Sequence, residues 1–182
     1  MPACLRFILP ILIASFVMIG AEHSASAQEF LHEKLAVFKP ILGKTFRGEF
    51  ANSTPEKPIV DVSKWERAMN GQAIRILHSI NDGSYGGESI MMWDAKKEKL
   101  VFWYFTTAGF HTQGALEVKG NEWSSLEEVT GNANGISQVK STTILREDGS
   151  YDVKSEYFAD GKWSPGRETH YVEAKGAEVK FK

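Results

Sequence analysis

From Lys44 to about residue 172 the chain keeps a single rhythm: short stretches in which apolar and polar residues alternate, each cut off by a tight turn. A period of two puts successive side chains on opposite faces, which is the signature of strands with one face in a core and one in water. The candidate strands are 44–52, 60–69, 72–81, 87–94, 99–107, 110–118, 122–130, 136–146, 150–158 and 162–172. Asn70-Gly71, Asn134-Gly135, Asp148-Gly149 and Asp160-Gly161 are dipeptides that reverse a chain within two residues. Lys96-Lys97-Glu98, Thr107-Ala108-Gly109 and Lys119-Gly120-Asn121 separate further pairs. Connections this short force sequence neighbours to pair antiparallel. The one long connection, Ala51 to Ile59, carries Pro55 and Pro58. A meander of this kind leaves two open edges unless it closes on itself. A two-sheet sandwich with Greek-key crossings is the alternative, but it needs more long connections than this chain has. The expected fold is therefore mainly β, an antiparallel up-and-down barrel of about eight to ten strands.

The segment before Lys44 reads differently. Leu31, Leu35, Phe38 and Leu42 form one apolar stripe at helical spacing, so a helix is expected over Glu29 to Leu42, ending at Pro40 and Gly43. Further upstream, Arg6 precedes an apolar run from Phe7 to Ala21, followed by Ala25-Ser26-Ala27. That order matches a cleaved signal peptide, and the run is shorter than the roughly 20 residues of a spanning helix. The chain thus divides into a signal peptide (1–27), an N-terminal capping helix (28–43), the barrel (44–172) and a C-terminal tail (173–182), expected as a frayed end, with a short strand through Val179 and Phe181 as the alternative. The expected location is periplasmic or secreted, with no membrane span after cleavage. Cleavage also removes Cys4, the sole cysteine, and with it any disulfide or thiolate chemistry. A net charge of −2 with mixed signs lacks the basic footprint of a nucleic-acid binder.

Alternation sets the inward faces. Ile74, Ile76, His78 and Ile80 share one face of their strand; Phe110, Thr112, Gly114, Leu116 and Val118 share another; Tyr151, Val153, Ser155 and Tyr157 a third. Leu100 to Phe105 is apolar on both faces, so one side lines the barrel while the other meets the helix or a second subunit, a homodimer through strand 100–105. The inward faces mix aromatics with small and polar residues. That leaves either a cavity with a few polar contacts or a filled core.

His78 stands out on an isoleucine-lined face, where a buried imidazole offers one donor and one acceptor. It is either a ligand contact or a histidine satisfied by a neighbour. His32, His78, His111 and His170 show no metal-binding spacing, so no metal site is expected. No serine sits in a nucleophile-elbow context. Glu127 and Glu128 are adjacent and point to opposite faces, so they cannot flank one bond. Glu66 and Glu88 read most simply as ion-pair partners of Arg47, Arg67, Arg75 or Arg167. Nothing here calls for an enzyme.

Two stretches carry a resemblance. Leu42-Gly43-Lys44-Thr45-Phe46-Arg47-Gly48-Glu49 follows the helix and opens the first strand. It resembles the Gly-x-Trp opening motif of calycin barrels, the superfamily of lipocalins and fatty-acid-binding proteins. Its Thr-Phe-Arg-Gly-Glu piece is closer to the Thr-Trp-Arg-Gly form of nitrobindin-like haem barrels, with Phe46 in place of the tryptophan and an extra residue after Gly43. Asn81-Asp82-Gly83-Ser84-Tyr85-Gly86-Gly87-Glu88, leading to Met92-Trp93-Asp94-Ala95, looks like exported bacterial calycin-type families of unassigned function. The resemblance spans about residues 30–172 and implies a calycin-like barrel. The expected function is to hold a small hydrophobic or amphipathic molecule, without a cofactor, against Trp65, Ile76, His78, Phe102, Tyr104, Tyr151 and Tyr157. Two alternatives stay open. One is a haem barrel with a single axial histidine, for which the nitrobindin-like resemblance points to His170; the other is an envelope interaction protein with a filled core.

Overall fold

The computed structural model describes residues 30–131 and 133–182. The expected signal peptide (1–27), with Gln28 and Glu29, lies outside the described residues. The strands are β1 (Thr45–Phe50), β2 (Val60–Ala68), β3 (Ala73–Ile80), β4 (Tyr85–Asp94), β5 (Lys99–Thr106), β6 (His111–Lys119), β7 (Glu122–Thr130), β8 (Gln138–Leu145), β9 (Tyr151–Ala159) and β10 (Lys162–Glu173). Each strand pairs antiparallel with its sequence neighbours, and β1 also pairs with β10, from Phe46↔Glu173 to Phe50↔Thr169. The sheet is a closed barrel with no free edge. Its hairpins follow the turn chemistry: Asp160 and Gly161 both adopt positive φ in the two-residue turn between Ala159 and Lys162, and Asn70 and Gly71 do so within the four-residue β2–β3 connection.

The N-terminal helix departs from expectation. It is a six-residue 3-10 helix, Glu33–Phe38, not an α-helix reaching Leu42. The reason is local. Pro40 has no N–H to offer the carbonyl of Ala36, so the N–H of Lys39 takes that carbonyl in an i to i+3 bond of 3.1 Å. Three residues per turn then bury Leu35, Phe38 and Ile41, with Leu31 and Leu42 only flanking them. This segment plugs the barrel end where β1 begins. Phe38 stacks on Trp65 at 6.0 Å between ring centroids and meets Trp123 edge-on at 5.2 Å. Phe46, in the place of the motif's tryptophan, is fully buried and packs edge-on against Tyr151 at 4.9 Å.

The tail also departs from expectation, being pinned and not frayed. The N–H of Lys180 donates to Ser79 Oγ at 3.0 Å, and its ammonium pairs with Asp82 at 2.8 Å. Ser79 points outward from β3, so the tail covers a polar atom that the barrel wall would otherwise leave half-shielded.

Candidate functional site

Below the plug the barrel is hollow. A cavity of about 420 Å³ runs from Trp65 and Trp123 to Phe50, Ile80, Phe110 and Ile136 at the opposite mouth. Trp65, Ile76, His78, Phe102, Tyr104, Tyr151 and Tyr157 all line it. So do Tyr85 and Tyr171, which means that every one of the five tyrosines in the chain faces this one space.

A belt of hydrogen bonds crosses the cavity wall. Asp61 is 1% exposed, and both of its oxygens are engaged. The Tyr171 hydroxyl donates to Oδ2 at 2.6 Å, and His78 Nδ1 lies 2.9 Å from Oδ1. His78 Nε2 is 2.6 Å from the Tyr104 oxygen, which is 3.0 Å from the Tyr85 oxygen. Beside the belt, Ser63 Oγ is 2.8 Å from the Tyr151 hydroxyl, which also accepts from Trp65 Nε1 at 3.3 Å.

Two glycines make this belt geometrically feasible. Gly48 on β1 stands in register between Asp61 on β2 and Tyr171 on β10. Gly87 on β4 stands opposite His78 on β3, and the Tyr104 ring from β5 lies over it. A side chain at either place would occupy the space through which the two flanking residues meet. Burial pushes the phenols of Tyr85, Tyr104 and Tyr171 above their ordinary range, and that of Tyr151 up to about 12. They are neutral hydrogen-bonding groups at neutral pH.

Three inward-facing residues escaped the alternation argument. Asp61 shares a strand face with Trp65, a signal that was available. Glu127 faces the cavity and accepts from Thr112 Oγ1 at 2.7 Å, while Glu128 faces outward to Gln138. Burial pushes the Glu127 carboxyl above its ordinary value, against the hydrogen bond from Thr112 and the field of Arg167. Arg167 is the third. The register of β10 shifts between Pro165 and Glu168, and this bulge lies beside Arg167, a cavity-lining residue. Glu66 and Glu88, by contrast, sit on the outer face and pair with Arg75.

Haem does not fit these residues. His170 faces outward and pairs with Asp152 at 2.7 Å, so it cannot ligate a group inside the barrel. His78 is the cavity-lining histidine, and both of its ring nitrogens are engaged, by Asp61 and by Tyr104. Among the described residues no group of three His, Cys, Asp or Glu converges as a metal site would require.

The doubly apolar strand resolves into two faces. Leu100, Phe102 and Tyr104 point inward. Val101, Trp103 and Phe105 point outward, where Phe105 is 52% exposed and stacks on His111. The 3-10 helix packs into the barrel end and does not cover this outer face.

The sequence matches no protein-family model and no curated protein. Among solved structures the chain is similar to the crystal structure of Rv2717c from M. tuberculosis, with a TM-score of 0.56 and 11% identity over 79% of this chain and 98% of that one. At that identity the likeness is one of fold, and the fold here is a closed antiparallel barrel.

Proposed function

We propose that this chain is an exported, non-enzymatic barrel that holds one small, mostly apolar molecule in its interior. The observation that carries the reading is the cavity of about 420 Å³, enclosed by a continuous wall. Its size falls in the range of small-ligand pockets, and its lining has their composition: aromatic and aliphatic walls with a few fixed polar groups. A filled core would leave no such space. The belt from Tyr171 to Tyr85 supplies orientation, because Asp61 and His78 fix its hydroxyls in place.

The test is native mass spectrometry on protein isolated from the envelope of its own host. The expected result is a retained mass of one small molecule per chain, with Gln28 as the N-terminal residue, and loss of that mass in His78→Ala. A protein that emerges empty, and that leaves Nile red dark on addition, overturns the reading. The exposed Phe105, with the half-buried Trp103 on the same outer face of β5, favours a second copy of the chain there. Sedimentation of Phe105→Ser against the unaltered protein tests that contact; a monomer in both cases rejects it.

A further inference from the structure

The hydrogen bonds of the belt fix where its protons sit. In the contact between Tyr104 and Tyr85, only Tyr104 is placed to donate. A phenol has one hydrogen to give, so Tyr104 has none left for His78. The 2.6 Å contact between the Tyr104 oxygen and His78 Nε2 is then made by a hydrogen on the ring nitrogen. On the far side of the ring, Nδ1 lies 2.9 Å from Asp61 Oδ1, while Tyr171 donates to Oδ2. Two bare lone pairs do not approach so closely, so this contact holds a hydrogen as well. The Asp61–His78 pair therefore carries one proton more than a carboxylate beside a neutral imidazole, and it is uncharged overall. His78 is faced by Asp61 from β2, by Tyr85 from β4 and by Tyr104 from β5, with Glu127 of β7 and Arg167 of β10 within electrostatic range of Tyr85. The charged group in contact with the ring is Asp61, and a carboxylate there favours keeping the proton.

The consequence lies at the other end of the row. Tyr85 accepts from Tyr104, and among the described residues no group accepts from Tyr85 in turn. Its hydrogen is free, and Tyr85 lines the cavity. With one proton fewer the row would run in reverse. Tyr104 would donate to Nε2 and Tyr85 to Tyr104, leaving only an acceptor toward the cavity. We propose, resting on the reading of the cavity as a ligand site, that Tyr85 is the donor that orients the bound molecule, and that this molecule carries a neutral carbonyl, that of a ketone or an ester. A carbonyl oxygen accepts without bringing a hydrogen of its own. A ligand hydroxyl would bring one, and would find the Tyr85 oxygen already taken by Tyr104. Tyr85 stands opposite Ile80 at the mouth, so the carbonyl lies just inside it. The hydrocarbon part runs inward along Ile76, Met91 and Phe102.

The experiment compares 2-undecanone with 2-methyl-1-undecene, the same shape without an acceptor, by displacement of Nile red at pH 7. Tyr85→Phe should weaken the ketone about three- to tenfold, the worth of one hydrogen bond, and leave the alkene where it was. Nitrogen NMR of the ligand-free protein should show a hydrogen on His78 Nε2, the ring signals being identified by their loss in His78→Ala. A bare Nε2, an equal effect of Tyr85→Phe on both probes, or a protein that takes the alkene alone overturns the role of Tyr85 while leaving the cavity reading intact. Displacement by neither probe overturns both. Should Tyr85→Phe fail to fold, the infrared carbonyl stretch of 2-undecanone bound to the unaltered protein takes its place: a band lowered from its position in hexane supports the donor, and an unshifted band overturns it.

Discussion

Tyr171 and Asp61 sit on strands that do not pair with each other, yet the Tyr171 hydroxyl donates to Asp61 Oδ2 at 2.6 Å, across a strand that places only Gly48 between them. Tyr171→Phe leaves a buried carboxylate oxygen without its donor. The expected loss is about 1.5–3 kcal/mol in urea unfolding, typical for a hydrogen bond to a charged group. Because His78 bonds the other oxygen of the same carboxylate, His78→Ala and Tyr171→Phe should be non-additive in a double-mutant cycle; additive losses would mean that the two bonds are independent.

Gly87→Ala should be more harmful than its single methyl group suggests. The added Cβ collides with the Tyr104 ring and with the backbone carbonyl of Phe105. Overpacking of this kind costs about 1–3 kcal/mol. Truncating Tyr104 to alanine in the same chain removes only the ring contact, so the double variant should not recover the stability of Tyr104→Ala alone. Full recovery in thermal melts would place the whole penalty on the ring.

Phe38→Ala removes the central side chain of the plug. Phe38 is fully buried between Trp65 and Trp123, and deletion of such a ring costs about 3–5 kcal/mol. Tryptophan emission should shift to the red as water reaches the two indoles. An unshifted spectrum would show that the plug closes over the gap.

Glu127→Gln should change how stability depends on pH. Burial raises the folded-state value of the carboxyl above its unfolded value of 4.5. Between those two values the folded protein binds more protons than the unfolded chain, so this residue makes stability fall as pH rises. The glutamine variant lacks that contribution. It should melt higher than the unaltered protein at pH 7 and no higher at pH 4. A variant equally displaced at both pH values would rule out titration as the cause.

The wall of this molecule was legible in its sequence to a degree that its contents were not. Strand and turn chemistry is local, so all ten strands could be placed within a few residues and the meander ordered from loop lengths alone. The plug was legible as apolar but not in its helix type, because the deciding fact is one missing N–H at Pro40, which changes the spacing from Leu31, Leu35, Phe38 and Leu42 to Leu35, Phe38 and Ile41. The seven expected lining residues reach the cavity because alternation needs only a correct register. Arg167 alternates with Thr169 and Tyr171, but the sequence of 162–172 does not say which of its two faces turns inward. The belt was invisible for a different reason: Asp61, His78, Tyr104 and Tyr171 meet across glycines on the strands between them, and alternation along one strand carries no information about what is missing on the next.

Closure through β1 and β10 joins the two ends of the chain, and β10 also carries Arg167, Thr169 and Tyr171. The last of these ten strands to be synthesised is therefore both the seam of the barrel and a wall of its interior. Pairings so distant in sequence form late and raise contact order, which slows folding. Until that strand arrives, Asp61 has no tyrosine to meet and the first strand has an open edge. Interior and seam come into being in one cooperative step, so a chain cut short before β10 would have lost both together.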